Sequence, residues 1–241
     1  MANLTQLKML EDLNGFLLVD KPAGIAFASV VKAIKRTFNL VKVGHGGSLD
    51  AMASGLFILL VGDANKFTAD VMGADRAYTG TMRLGLKTTT HDVYGETVKE
   101  AASLEGLDVP GLLEKHIPEF KGDLFQTEPR FSTIRKEGTS GYEIADTGDH
   151  SQFLTHVYRL QPTTVDGPRV GFEVSGTKSL LVRTLVNDLG EALGCGAALE
   201  SLRRTKVGRF SVDDAVPFDR LLTTEMKDFA SCVLPMSAAL R

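Results

Sequence analysis

Residues 43–55 read VGHGGSLDAMASG, and what this stretch is decides how the rest of the chain is read. Four glycines in thirteen residues cost backbone entropy on folding, so the segment serves either a special backbone conformation or the close approach of something large. A phosphate loop would need GxxxxGKS or GxxxxGKT after a strand, with the lysine on the terminal phosphates and the hydroxyl on magnesium. No such lysine follows these glycines, and Asp50 would repel a phosphate held there. A tight loop whose aspartate caps a short helix satisfies the local preferences. So does a loop that presents Asp50, five residues after His45, for chemistry. The remainder of the chain has to choose.

Upstream, GFLLVD at 15–20 reads as a short buried strand ended by KPAG, a Pro-Gly turn. From Ser29, an expected N-cap, Val30, Val31, Ile34 and Phe38 follow helical spacing while Lys32, Lys35 and Arg36 take the other faces. Downstream, LFILLVG at 56–62 is an apolar strand, and AYTGTMRLG at 77–85 alternates with Tyr78, Met82 and Leu84 on one face. The acid-rich 98–120 reads as helical and peripheral, 121–160 as turn-rich and extended, and RVGFEV at 169–174 as another alternating strand. Leu181, Leu185, Leu189 and Leu193 recur every fourth residue, giving a helix with Arg183 near its start. A short LESLRR helix and a KVGRFSV strand follow. Strands mixed with helices in no regular βαβ rhythm predict an α+β domain with a mixed, mostly antiparallel sheet flanked by helices.

Composition removes several classes of function. With 43% hydrophobic and 24% charged residues the chain is an ordinary globular protein, and its longest apolar run is far too short to cross a bilayer. Glu11 and Asp12 stand where a signal peptide needs neutral residues, so a cytoplasmic location is expected and no membrane partner. Cys195 and Cys232 form no CxxC spacing, and His45, His91, His116, His150 and His156 form no HExxH, so no metal site is expected. Net charge is −3, but it is segregated. Lys21, Lys32, Lys35, Arg36 and Lys42 lie between Asp20 and Asp50 with no acid among them. The stretch 174–187 carries only Lys178 and Arg183, and 201–212 only Arg203, Arg204, Lys206 and Arg209. Three such blocks converging in the fold would make a polyanion-binding face; separately they are ordinary solvated surfaces.

GFLLVDKPAG, GHGGSLDAMASG, the Tyr78 strand followed by LGLKTTTHDVYG, and LVRTLVNDLGEALGCGAALESLRRTKVGRFSVDDA together resemble the TruB family of tRNA pseudouridine synthases. The likeness runs from about residue 14 to the C-terminus, in order and with compatible spacing, and includes the tail CVLPMSAAL. It implies a pseudouridine-synthase-like fold with a central active-site cleft. The implied activity is isomerisation of uridine to pseudouridine in the T loop of tRNA, at tRNA position 55, with no cofactor. It also implies a single catalytic domain over 1–241, a possible insertion at about 121–160, and no C-terminal PUA-type RNA-binding domain. The T arm of tRNA would be the partner, bound by a monomer. A tRNA-binding or remodelling protein of the same fold, with little or no catalysis, is the alternative.

The resemblance also assigns residues. Asp50, Tyr78 and Arg183 would be catalytic: the aspartate, the tyrosine that stacks on the target base, and the arginine that pairs with the aspartate. His45, Tyr78, Leu181, Leu202 and Lys21 would be substrate-binding. His45 would lie beside the flipped nucleotide, Leu202 would line the base pocket, and Lys21 with Pro22 would brace the active-site loop. Read alone, Tyr78 shares parity with Met82 and Leu84 and could be core. Arg183 could be a helix-surface arginine, Leu202 simple core, and His45 a loop histidine satisfied by backbone. The sequence also departs from the family pattern. Leu181 stands where a base-contacting tyrosine is usual, Ala26-Phe27 replaces Thr-Ser, Ala51 replaces proline after the aspartate, and EPRFSTIR at 128–135 replaces PPxYSAxK.

Overall fold

The computed structural model describes residues 13–100, 104–134, 143–146, 148 and 152–240, so Glu11, Asp12, Arg135 and His150 lie outside the described residues. Short 3-10 turns apart, the chain runs β1 (Gly15–Lys21), α1 (Phe27–Thr37), β2 (Val43–His45), β3 (Ser54–Val61), α2 (Thr68–Gly73), β4 (Arg76–Leu84), β5 (Leu86–Thr88) and β6 (Thr97–Glu100). It continues as α3 (Val109–His116), β7 (Gly122–Thr127), β8 (Phe131–Ile134), β9 (Glu143–Asp146), β10 (Gln152–Asp166), β11 (Arg169–Gly176) and α4 (Val182–Ala192). The last elements are β12 (Ala197–Val207), β13 (Phe210–Ser211), β14 (Val216–Pro217), α5 (Phe218–Thr223), α6 (Met226–Phe229) and β15 (Val233–Pro235). Two compact units result, one from the chain through Ala74 and from Arg204 onward, the other from Asp75–Arg203.

In the first unit β3 is the organising strand. β1 pairs antiparallel along its length, from Gly15↔Val61 to Lys21↔Gly55, and β2 pairs with its Leu59–Val61 end. β15 adds antiparallel to β1, and β14 adds parallel. With neighbours on its edges and packing on its faces, β3 is buried at every residue after Ser54, which is why it reads as a continuous apolar run. Phe16, Leu18, Leu56, Ile58, Leu60, Val71, Val207 and Phe210 form one core cluster. Each large side chain in it contributes about 1.5–3 kcal/mol by burial. α1 buries Val30 and Ile34, and the following Phe38 stacks on Phe229 of α6 with ring centroids 3.7 Å apart.

α1 begins earlier than its expected Ser29 cap. Ala26 is the N-cap, with no side-chain cap hydrogen bond. Phe27 packs on His45 and Phe57, with ring centroids at 5.2 and 5.9 Å, so aromatic packing rather than a hydroxyl sets the start of the helix.

In the second unit the strand order is β12-β4-β11-β10-β7, with β4–β11, β10–β11 and β7–β10 antiparallel. β10 follows its neighbour through two register shifts, the second after Pro162, a residue that cannot donate to a ladder. Met82, Leu160, Phe172, Leu185, Val186 and Leu189 line a small apolar void beneath α4, which places the leucine repeat of this helix against the sheet. β5–β6 and β8–β9 are separate two-stranded hairpins.

Two local expectations are corrected here. Among the described residues of the acid-rich 98–120, the α-helix begins at Val109, where Asp108 accepts from the Gly111 N–H (3.1 Å); Gly106 takes φ +80° before it, and Thr97–Glu100 is an exposed strand paired with β5. LESLRR is part of strand β12, in which Leu202 and Arg204 are buried and Ser201 is exposed. The helix-forming residues of that segment yield to ladder pairing and period-2 burial. Among the described residues no helix is long and apolar enough to cross a membrane.

Candidate active site

The first unit holds Lys21, His45 and Asp50. Asp50 is exposed between two buried neighbours, Leu49 and Ala51, so the backbone is anchored on both sides while the carboxylate faces outward. No helix follows it. Residues 51–52 make a turn closed by the Ala53 N–H on the Asp50 carbonyl (3.1 Å), and the helix-cap reading of Asp50 fails.

Two buried cations hold this loop from within the same unit. Lys21 is fully buried, and its Nζ donates to the carbonyls of Pro22 (2.9 Å), Ile25 (2.8 Å) and Ala51 (3.4 Å). Its place follows from the ladder, in which Lys21 sits opposite Gly55, where the Asp50 loop rejoins β3. Burial pushes the amine from the ordinary 10.5 down to about 8; the Asp50 charge pulls it up and the Arg204 charge pushes it further down. Lys21 thus ties the Ala51 carbonyl of the loop to the turn that follows β1.

Arg204 is the second cation, 1% exposed, with Nε donating to the Leu56 carbonyl (2.8 Å) and Nη1 to the Ser48 carbonyl (2.8 Å). This corrects the reading of Arg203, Arg204, Lys206 and Arg209 as one solvent-facing block, because alternation along β12 turns Arg204 inward. His45 sits between Phe27 and Phe57, at ring-centroid distances of 5.2 and 6.0 Å. Its Nδ1 is buried and, among the described residues, has no hydrogen-bond partner, so this nitrogen is not satisfied by backbone.

The second unit holds Tyr78, Leu181, Arg183 and Leu202. Tyr78 lies on β4 opposite Val174, on the buried face with Met82 and Leu84, but at 8% exposure against 2% for each of those it is the more accessible. Leu202 is buried on the neighbouring β12. Leu181 is the half-buried N-cap of α4 rather than its first helical residue. Its backbone is held twice by the buried Gln126, whose Oε1 accepts from the Leu181 N–H (2.9 Å) and whose Nε2 donates to the Leu181 carbonyl (3.1 Å). Arg183, the second residue of α4, is largely buried and not a surface arginine. Its Nη1 donates to the Thr90 carbonyl (3.1 Å) and lies 3.8 Å from Oδ2 of Asp92.

Asp92 and Arg204 are the residues that sequence reading did not assign. Asp92 is 1% exposed, and its Oδ1 accepts from the Thr90 hydroxyl (2.8 Å) and the Tyr94 N–H (3.0 Å). TTTHDVYG places an aspartate beside threonines, but neither its burial nor its partner, 91 residues along the chain, is marked locally. Parity with Leu202 would have flagged Arg204 once the segment was read as a strand.

Comparison with known proteins places these features. Residues 35–182 match the model of the TruB family pseudouridylate synthase (N terminal domain), and residues 183–241 match the tRNA pseudouridylate synthase B C-terminal domain. These matches define a pseudouridine synthase. The chain belongs to the TruB family. It is 37% identical over 213 residues to tRNA pseudouridine synthase B of Pseudomonas aeruginosa (strain UCBPP-PA14), covering 87% of this chain and 69% of the relative. It is 37% identical over 232 residues to that of Burkholderia pseudomallei (strain 668), covering 95% and 76%. A solved chain from a Cbf5-Nop10-Gar1 complex superimposes with a TM-score of 0.72 at 24% identity, over 97% of this chain; this chain spans 63% of its length. That likeness concerns the fold alone.

Proposed function

We propose that this chain isomerises uridine to pseudouridine in the T loop of tRNA, at tRNA position 55, as a cytoplasmic monomer. The observation that carries the reading is the exposed Asp50 carboxylate on a loop that two buried cations hold by its backbone. The names of the curated relatives, tRNA pseudouridine synthase B, support the choice of tRNA.

The reaction breaks the N1–C1′ bond, turns the base and joins C5 to C1′, after which the C5 proton leaves and N1 gains one. Atoms and electrons balance within the nucleotide, and the base must first leave its stack. Ionised Asp50 attacks or assists the elimination. A loop of small residues lets the RNA backbone approach it. Tyr78 provides an aromatic face for the base and a phenol able to move a proton. Arg183 supplies a positive charge fixed by Asp92 and Thr90. His45, wedged by Phe27 and Phe57, flanks the flipped nucleotide. Lys32 and Arg36, exposed on α1, supply phosphate contacts of the salt-sensitive kind.

The test is to incubate purified protein with a T-arm transcript and map pseudouridine by carbodiimide modification and mass spectrometry. Product confined to the position 55 uridine, and absent when that uridine is replaced by cytidine, supports the reading. Tight binding with no product supports a remodelling protein instead.

A further inference from the structure

We propose that Arg204 is a positioning residue for Asp50, acting as a fork that ties the two ends of the Ser48–Leu56 loop together. This rests on the reading of Asp50 as the reacting carboxylate. Nε holds the Leu56 carbonyl and Nη1 the Ser48 carbonyl, both at 2.8 Å, so one planar group fixes the residues where the loop leaves and re-enters the core. Asp50 lies inside that span. A guanidinium suits the task because its donors diverge at fixed angles, whereas an ammonium is a single point.

The backbone is built around the same contact. Gly55 has φ +100°, and a Cβ there would run into the backbone of Arg204, so glycine allows β12 to pass close enough for the fork to reach across. Lys21 holds the loop at a third point, the Ala51 carbonyl, next to Asp50 itself. With Ser48, Ala51 and Leu56 pinned, the carboxylate has little freedom beyond its own rotamers. The positioning role also accounts for a cation at 1% exposure in a protein expected to bind RNA: its Nε and Nη1 are directed to the Leu56 and Ser48 carbonyls.

The decisive variant is Arg204→Lys, which keeps the charge and loses the fork. Three readouts are compared with wild type: the single-turnover rate at saturating T-arm RNA, the affinity with its salt dependence, and hydrogen exchange of the 48–56 amides without RNA. Phe229→Leu, a core substitution in the same unit, serves as a control for loss of stability alone. The expected result for Arg204→Lys is a rate about 10- to 100-fold lower, the scale of a misplacement of about 1 Å. Affinity and salt slope stay unchanged, and exchange of the loop amides is faster. If Arg204→Lys does not fold, Gly55→Ala, which displaces the Arg204 backbone while keeping its guanidinium, is expected to give the same pattern. A rate no lower than that of the Phe229→Leu control overturns the proposal. So does a reduced salt slope with weakened binding, which would make Arg204 a phosphate ligand. If wild type makes no pseudouridine, the functional reading fails on its own, and unchanged exchange of the loop amides in Arg204→Lys then overturns the fork.

Discussion

Arg183 and Asp92 form a buried pair in which Nη1 lies 3.8 Å from Oδ2, while the other carboxylate oxygen accepts from the Thr90 hydroxyl and the Tyr94 N–H. Burying a carboxylate costs several kcal/mol unless charge and hydrogen bonds compensate. Here both do. The guanidinium is anchored in turn by the Thr90 carbonyl at 3.1 Å, so the place of Arg183 is set by the loop that follows β5 as much as by its own helix.

Asp92→Asn keeps the size and one acceptor but removes the charge that faces Arg183. A hydrogen bond or ion pair to a charged group contributes about 1.5–3 kcal/mol. The single-turnover rate on a T-arm substrate should therefore fall by roughly one to two orders of magnitude. Affinity for the RNA should change little. Rapid-quench kinetics with filter binding checks both, and an unchanged rate would show that Asp92 does not hold Arg183 in its working position.

His91 gives the fold a pH dependence of known sign. It adopts φ +62°, and burial, followed by the charges of Arg183 and Lys87, pushes its imidazole from 6.5 down to about 4. Below pH 6.5 the unfolded chain takes up the proton before the native one does. The stability contributed by neutral His91 is thus complete above 6.5 and is lost as pH falls toward 4. Asparagine tolerates this backbone conformation and does not titrate. Urea unfolding should show the wild-type midpoint falling more steeply between pH 6.5 and 4 than that of His91→Asn; parallel curves would refute the assignment.

The resemblance implies that Leu181 stands in the place of a family tyrosine, and the contacts that hold the residue are made by its backbone. It caps α4 from outside the helix, is half-buried, and is held through its backbone by Gln126 rather than through its side chain. Lost base stacking costs about 1–3 kcal/mol. Leu181→Tyr should therefore raise kcat/KM for a T-arm substrate between several-fold and about a hundred-fold while leaving the thermal midpoint unchanged. If kcat/KM does not rise, leucine at this position is neutral packing.

The start of α1 offers a test of stability alone. Ala26 is the N-cap in extended conformation with no side-chain hydrogen bond, and the resemblance implies threonine as the family's usual residue there. Ala26→Thr should stabilise the protein by about 0.5–2 kcal/mol through a hydroxyl on the first helical N–H groups. Phe27→Ser should destabilise it by removing the ring packed on His45 and Phe57. Chemical denaturation of both variants measures the difference; a loss from Ala26→Thr would mean that Phe27 leaves no room for the cap.

What could be read from sequence follows the range of the interactions involved. Strands such as GFLLVD, LFILLVG and RVGFEV are marked by local apolar runs or alternation, and the Asp50 loop by its glycines. The start of α1 was misplaced because an aromatic contact from Phe27 to His45, 18 residues away, replaces the capping signal. LESLRR was misread because only its ladder neighbours impose the strand period. The roles of Arg204 and Asp92 depend on partners 148 and 91 residues distant, and no local pattern announces such contacts. Charge blocks misled for the same reason, since position along the chain does not tell a buried guanidinium from a solvated one.

Asp50→Asn tests the central claim most directly. The amide is nearly isosteric and keeps the backbone bracing by Lys21 and Arg204, but it can neither attack nor assist as a carboxylate. Pseudouridine formation should be measured in a T-arm transcript under single-turnover conditions, with RNA affinity determined in parallel. The account expects product to vanish while affinity stays within about two-fold of wild type, a difference of less than 0.5 kcal/mol. Turnover by Asp50→Asn at the wild-type rate would contradict it.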